Sequence, residues 1–347
     1  EISACLVGSE MCIRDRFVRI PLQLPTWGKA LVEVMGYGAG IVMLLTVPYT
    51  DGRSFDLACS DIIILVLANM ALWGSLAYLF TCRNKWFRIG ILPFLMAIFL
   101  GSTTERSWQQ IVMNYSPCPW MFQFNFLKYL FIVIPGTIAG EYLKVWIRKR
   151  TDWDRIDSLN NRRTLWILLV SIALVVVNLY GLYTRSLLLN LFLTIVLLVI
   201  LWSLLKTQKG DGCCWRNLFV AGTYLLMLGL LFEAYEGGIR KDYATYSYYF
   251  VTSGLAFFTL LAFTIMGDVY YLGKWIKPLV LAGKNPMIAY VAVNMLVMPI
   301  INLLGLTKYL DLFNENAWLG FLRGVIITSI AVSLAMIFSK LKLFWRT

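Results

Sequence analysis

Apolar residues run along this chain in long unbroken stretches instead of alternating with polar ones. From Lys29 onward, stretches long enough to cross a hydrocarbon core of about 30 Å recur, separated by charged or Gly- and Pro-rich breaks. The pattern predicts helical cores at Ala30 to Thr46, Ile62 to Phe80, Phe87 to Gly101, Phe124 to Tyr142, Leu165 to Tyr183, Leu187 to Leu205, Leu218 to Glu233, Tyr248 to Met266, Pro286 to Leu304 and Leu319 to Phe338. The third run is short, and either tilts or continues into the Trp108 to Tyr115 segment. The expected fold is all-α, a polytopic membrane helix bundle of about ten transmembrane helices.

Composition agrees with lipid as the solvent. Of 347 residues, 59% are hydrophobic and 14% charged, with a mean hydropathy of +0.71, more apolar surface than one soluble core can hide. The formal charge of +12 does not point to nucleic acid, because Lys and Arg sit in short clusters between apolar runs and not along one polar face. They act as topology signals. One set of alternate loops, including Arg83 to Arg88, Lys144 to Arg163 and Lys274 to Lys284, holds 21 Lys and Arg, while the other set holds six: Arg53, Arg106, Arg185, Arg240, Lys241 and Lys308. Cytoplasmic loops are the enriched ones, so both ends of the membrane domain are expected in the cytoplasm.

Residues 1–16, EISACLVGSEMCIRDR, show neither a helical stripe nor a signal-type apolar run. They look like translated adaptor sequence fused in frame, so residues 17–347 are expected to be a single membrane domain entered at about Phe17 with its true start missing. No tandem repeat interrupts it, and the longest polar connection, Lys144 to Arg163, is a loop and no soluble domain. The fifth and sixth runs are almost wholly Leu, Val and Ile and are expected at the lipid-facing periphery. The first, second, fourth and ninth carry Gly or polar residues at membrane depth and are expected to line the interior.

Several residues stand out chemically, each with an ordinary structural reading beside it. Gly36 with Gly40 and Gly136 with Gly140 have the four-residue spacing of close helix packing, and Pro135 precedes the second pair. Asn69, Asn125, Lys128 and Glu141 are candidate cavity-lining groups. Lys128, one turn inside the fourth run, either snorkels to the interface or points into a polar cavity, and Asn69 suits an interhelical hydrogen bond. Before the ninth run, Asn285 is placed as an N-cap with Pro286 at the first helical position, and Tyr290 and Asn294 fall four apart on one face. Capping accounts for Asn285; a helix N-terminus beside Lys284 is also suited to a phosphate. The densest polar cluster, Phe232 to Phe250, has Glu233 and Glu236 three apart on one face, a Gly237–Gly238 break, and then Arg240 and Tyr243. Carboxylates beside aromatic rings suit a sugar, and an interfacial Tyr belt suits the same residues. A second segment on that side, Glu105 to Trp120, is placed to close over the same region. Cys59 and Cys118 share that side and are the one pair open to a disulfide. No metal-ligand spacing occurs, and the chain has no histidine, so histidine-based acid–base or nucleophilic chemistry is closed to it.

Three stretches, KYLFIVIPGTIAGEYL at Lys128 to Leu143, EGGIRKDYATYSYYFVTSGLAFF at Glu236 to Phe258 and KPLVLAGKNPMIAYV at Lys277 to Val291, together resemble one family. It is the bacterial branch of uncharacterised relatives of heparan-α-glucosaminide N-acetyltransferase, and the likeness runs in order through most of Phe17 to Thr347. The resemblance implies a multi-helix acyltransferase of the bacterial inner membrane that takes an acetyl group from cytosolic acetyl-CoA, with no bound cofactor, and passes it to a sugar or glycolipid across the bilayer. By the resemblance, the family motif before the penultimate helix corresponds to Gly283, Asn285 and Tyr290 and the outer motif to Glu236 to Tyr249; acyl-CoA is accordingly expected near Lys284, Asn285, Tyr290 and Asn294, and the acceptor at Glu233, Glu236, Arg240 and Tyr243. The family pattern also includes N-terminal helices with an acetyl-relay histidine, which this chain does not contain. Where some relatives carry a His-Glu pair, this sequence has Val293 and Asn294, and a carboxamide cannot exchange protons as those groups do. The rival reading is a transporter or flippase for a small polar or sugar-lipid substrate, suggested by prolines in the fourth and ninth runs, five helices apart as an inverted repeat would place them. Association into oligomers is left open by the sequence.

Overall fold

The computed structural model describes residues 26–46, 62–149, 161–206, 212–241, 244–268, 273–305, 307, 313 and 317–343, and no strand occurs among them. Eight described helices are long and apolar enough to cross a membrane: Ile62–Thr81, Phe124–Arg148, Arg162–Tyr183, Leu187–Lys206, Cys214–Glu236, Tyr246–Gly267, Pro286–Leu303 and Trp318–Lys340. A multi-pass, all-helical membrane protein is therefore what the chain builds, and the first expected run also forms a helix, Thr26–Thr46, of 21 residues. The third run forms a helix of only 17 residues with Pro93 inside it. The described apolar stretch of the first run is Val34–Met43.

The chain divides into two compact units. The larger holds α2 (Ile62–Thr81), α3 (Lys85–Gly101), α4 (Trp108–Asn114), a 3₁₀ turn (Phe124–Tyr129), α5 (Leu130–Lys149), α6 (Asn161–Tyr183), α7 (Leu187–Lys206), α8 (Gly212–Glu236) and α9 (Tyr246–Asp268). The smaller holds α1 (Thr26–Thr46), α10 (Gly273–Gly283), α11 (Pro286–Ala292), a π turn (Val293–Val297), α12 (Met298–Leu303) and α13 (Ala317–Lys340).

In the larger unit the most enclosed crossing is α9, which packs on α8, α6 and α5. Its apolar residues are buried nearly all round, including Phe250, Val251, Leu255, Phe257, Phe258, Leu261 and Ile265, as a helix in the middle of a bundle requires. The sequence pattern placed other helices in the interior, so α9 is a correction. What lets it approach α8 is a reciprocal pair of glycines. A Cβ on Gly229 would come within 2.6 Å of the Val251 backbone nitrogen, and one on Gly254 within 2.7 Å of the Leu226 nitrogen. Close backbone approach of this kind is a main source of helix association in lipid, where apolar burial alone gives no preference for protein over hydrocarbon. Gly136 and Gly140, expected to do this work, face open space, with no described atom within 4 Å of a Cβ on either.

The expectation for the fifth and sixth runs fits better. α7 buries one stripe, Asn190, Thr194, Leu198, Leu201 and Leu205, and leaves Leu188, Leu189, Phe192 and Val199 exposed. Its contact with α6 includes a side-chain hydrogen bond from Asn190 to Asn178, 3.3 Å long.

In the smaller unit α10 and α11 pack against α13. Ser339 on α13 donates to the Leu281 carbonyl at 2.7 Å. The π turn is explained by Pro299, whose ring nitrogen has no hydrogen for the carbonyl one turn back, so the helix widens just upstream of it.

Candidate functional site

Two clusters of charge, at opposite ends of the larger unit, are the best-built polar features of the described chain. At the end poor in Lys and Arg, α8 stops at Gly237 and Gly238, both at positive φ (69° and 143°), a conformation that favours glycine. Arg185, in the turn between α6 and α7, reaches this break. Its Nη1 donates to the Glu233 carboxylate at 2.7 Å and its Nη2 to the Gly237 carbonyl at 2.6 Å. A side chain on Gly238 would fill the guanidinium's path, since a Cβ there would sit 2.9 Å from Nη1. Glu236 reaches forward instead, accepting from the backbone N–H groups of Tyr246 (2.9 Å) and Ser247 (2.8 Å), two of the orphan donors that open α9. The Arg240 N–H donates to Thr245 Oγ1, and the Thr245 N–H returns a bond to the Arg240 carbonyl, both at 3.2 Å, closing the loop.

This clasp changes how the sequence-level acceptor site reads. Glu233 and Glu236 do not stand free as hydrogen-bond acceptors: one is buried against Arg185 and the other caps a helix. Arg240 is exposed, and Tyr243 lies outside the described residues. The Glu105 to Trp120 segment packs through α4 on α3 and the 3₁₀ turn.

At the Lys/Arg-rich end, Arg88 in the first turn of α3 is almost completely buried. Its Nε donates to Thr81 Oγ1 (3.0 Å), its Nη1 to Thr137 Oγ1 (3.1 Å), and its Nη2 to Glu141 Oε1 (2.8 Å) and the Thr81 carbonyl (3.3 Å). The Tyr78 ring covers the guanidinium at 4.4 Å. Asn84 caps α3 by accepting from the Trp86 and Phe87 N–H groups, fixing the first turn from which Arg88 projects. Glu141 is thus a buried-cation partner, with about a quarter of its side chain still open. Arg88 and Arg185 counted in the sequence only as loop charges. The available signal was that each falls within a turn of an apolar run whose neighbour carries Glu or Thr at the same depth.

The remaining candidates divide between structure and exposure. Asn69 is buried and donates to the carbonyls of Leu65 and Met121, both at 2.9 Å, tying α2 to the segment before the 3₁₀ turn. Asn125 is exposed. Lys128 is half-buried with its ammonium 5.3 Å from the centre of the Phe99 ring. In the smaller unit, Pro286 opens α11 as expected, but the Asn285 side chain makes no cap hydrogen bond. It is fully buried and donates instead to the Leu343 carbonyl at 2.7 Å, an acceptor offered by the turn just past the end of α13. Lys284, Tyr290 and Asn294 are exposed, Asn294 within the π turn. Cys59, half of the candidate disulfide, lies outside the described residues.

A protein-family model described as Domain of unknown function (DUF5009) matches residues 24–143. The match takes in Asn69, Tyr78, Thr81, Arg88, Lys128, Thr137 and Glu141, and ends before the clasp. No curated protein and no solved structure matches the chain.

Proposed function

We propose that this chain is the membrane part of an acyltransferase that takes an acetyl or other acyl group from a CoA thioester on the cytoplasmic side of a bacterial inner membrane and passes it to a cell-envelope sugar on the other side. The observation that carries the reading is one of order. The stretches at 128–143, 236–258 and 277–291 resemble the bacterial relatives of heparan-α-glucosaminide N-acetyltransferase in the same succession. Support of a physical kind comes from buried charge fixed at both ends of the α2–α9 unit, which gives each mouth a rigid frame. With Glu233 and Glu236 engaged, they serve as positioning residues for the loop that presents Arg240 to an acceptor. On the acyl-CoA side, Lys284, Tyr290 and Asn294 are the exposed groups, and buried Asn285 holds their loop to the turn just past α13. No acyl-relay residue is assigned, because the chain has no histidine.

Inside-out membrane vesicles carrying the protein, supplied with labelled acetyl-CoA, test the reading. Label is expected in a sugar or glycolipid enclosed by the vesicle, and Arg240→Ala is expected to raise acceptor KM while leaving CoA affinity unchanged. A second reading, transport without chemistry, is favoured by the Arg88–Glu141 pair at the edge of the membrane, since intramembrane charge often marks a substrate or ion path. Sugar accumulation with no labelled product would establish it over acyl transfer.

A further inference from the structure

We propose that the Lys/Arg-poor end of the α2–α9 unit binds the phosphate of a lipid headgroup through the Lys128 ammonium and the Asn125 carboxamide. In a 3₁₀ turn, residues three apart eclipse one another, so Asn125 and Lys128 of the Phe124–Tyr129 turn lie on one face. Lys128 is half-buried, yet no carboxylate among the described residues lies within ion-pair distance of it. Its one recorded contact is the Phe99 ring, itself packed on Phe124 at 5.6 Å, and a ring face is a weak substitute for a counter-ion. The other described cations of this end are differently placed. Arg185 has its carboxylate, and Arg106, Arg240 and Lys241 are exposed to solvent. Lys128 alone among these is partly desolvated without an anion, and an anion arriving from outside the chain removes that cost.

Depth and surroundings identify the anion as one attached to a lipid. Lys128 lies one turn inside the Phe124–Arg148 crossing, where a long basic side chain reaches headgroup phosphates. The segment beside it exposes Trp108, Ile111, Tyr115, Trp120 and Met121, the residue types that settle at the boundary between headgroups and acyl chains. That segment is held in place by the Asn69 bond to Met121, the Ser116 bond to the Phe122 carbonyl at 2.6 Å, and the Trp73–Phe122 ring contact at 5.5 Å. The donor pair therefore sits in a fixed frame beside an apolar surface. The inference stands apart from acyl transfer, because it requires only the local geometry of α3, the 3₁₀ turn and α5.

The test uses the full chain in maltoside detergent, titrated by calorimetry with dihexanoyl phosphatidate, with dihexanoylglycerol, which lacks the phosphate, and with inorganic phosphate. Phosphatidate is expected to bind at least about tenfold more tightly than either control, and Lys128→Gln to lose about tenfold in affinity for it, as removal of a charge-assisted contact implies. Lys128→Arg should retain most of the affinity, and Asn125→Ala should lose a smaller part. Equal binding by wild type and Lys128→Gln, or dihexanoylglycerol binding as tightly as phosphatidate, overturns the proposal; inorganic phosphate binding as tightly as phosphatidate overturns the lipid assignment. Unliganded melting temperatures establish that each variant is folded. Should Lys128→Gln not fold, Asn125→Ala decides the matter, and unchanged phosphatidate affinity in it counts against the site.

Discussion

The two Arg–Glu pairs of the α2–α9 unit make nearly the same bond, 2.8 Å for Arg88–Glu141 and 2.7 Å for Arg185–Glu233, but they bury opposite partners. At the Lys/Arg-rich end the cation is hidden, with Arg88 1% exposed and Glu141 27%. At the other end the anion is hidden, with Glu233 2% exposed and Arg185 55%. A guanidinium carries five donors and no acceptor, so hiding it requires a full set of acceptors, which α2 and α5 supply through Thr81, Thr137 and Glu141. The hidden carboxylate of Glu233 is met by a single guanidinium N–H, the other arm of Arg185 going to the Gly237 carbonyl. The first pair is consequently part of the packing of three helices, whereas the second is a latch whose Arg stays in contact with water.

Substitutions sharpen that contrast, beginning with Glu141→Ala. It leaves a buried guanidinium without its counter-charge and should cost about 3–5 kcal/mol, read as thermal unfolding in detergent. A double replacement of Arg88 and Glu141 by Met and Leu should recover most of the loss, and failure to recover would mean that the pair does more than pack. Arg185→Ala should cost less, about 1.5–3 kcal/mol, because the place Arg185 vacates is open to solvent and water can reach Glu233 there. If Arg185→Ala proves the more damaging of the two, the distinction between core pair and latch fails. Glu236→Ala should have the smallest effect, about 1 kcal/mol, with faster amide exchange confined to Tyr246 and Ser247 at the start of α9.

Much of the fold was legible in the sequence because the hydrocarbon core imposes its length on each crossing. Ile62 to Phe80, Leu187 to Leu205 and Leu319 to Phe338 all became helices within a few residues of the apolar run. Helix neighbours were not legible, since in lipid an interior helix and an outer one have the same apolar content. The Gly136–Gly140 spacing resembled a packing motif and meets nothing, while Gly229 and Gly254, with no such spacing between them, bring two backbones together. At the candidate site, residue types were legible and their partners were not. Glu236 looked like a ligand group because it stands near tyrosines, yet two helix-opening N–H groups eleven or fewer positions away claim both its oxygens. Asn285 was placed to cap α11, but the Leu343 carbonyl, far along the chain, takes its carboxamide.

The glycine contact between α8 and α9 has a mechanical consequence. Where two backbones touch with no side chain between them, sliding one helix along the other by a single residue would bring Leu228 or Leu230 to the place of Gly229, or Ser253 or Leu255 to that of Gly254, and drive a side chain against the facing backbone. The two helices are thereby keyed together like a tongue in a slot, and α8, with 25 residues, is a stiff lever about 37 Å long. Motion of the Glu233 end of this lever has to be shared by α9, because the two backbones meet with no side chain between them to give way.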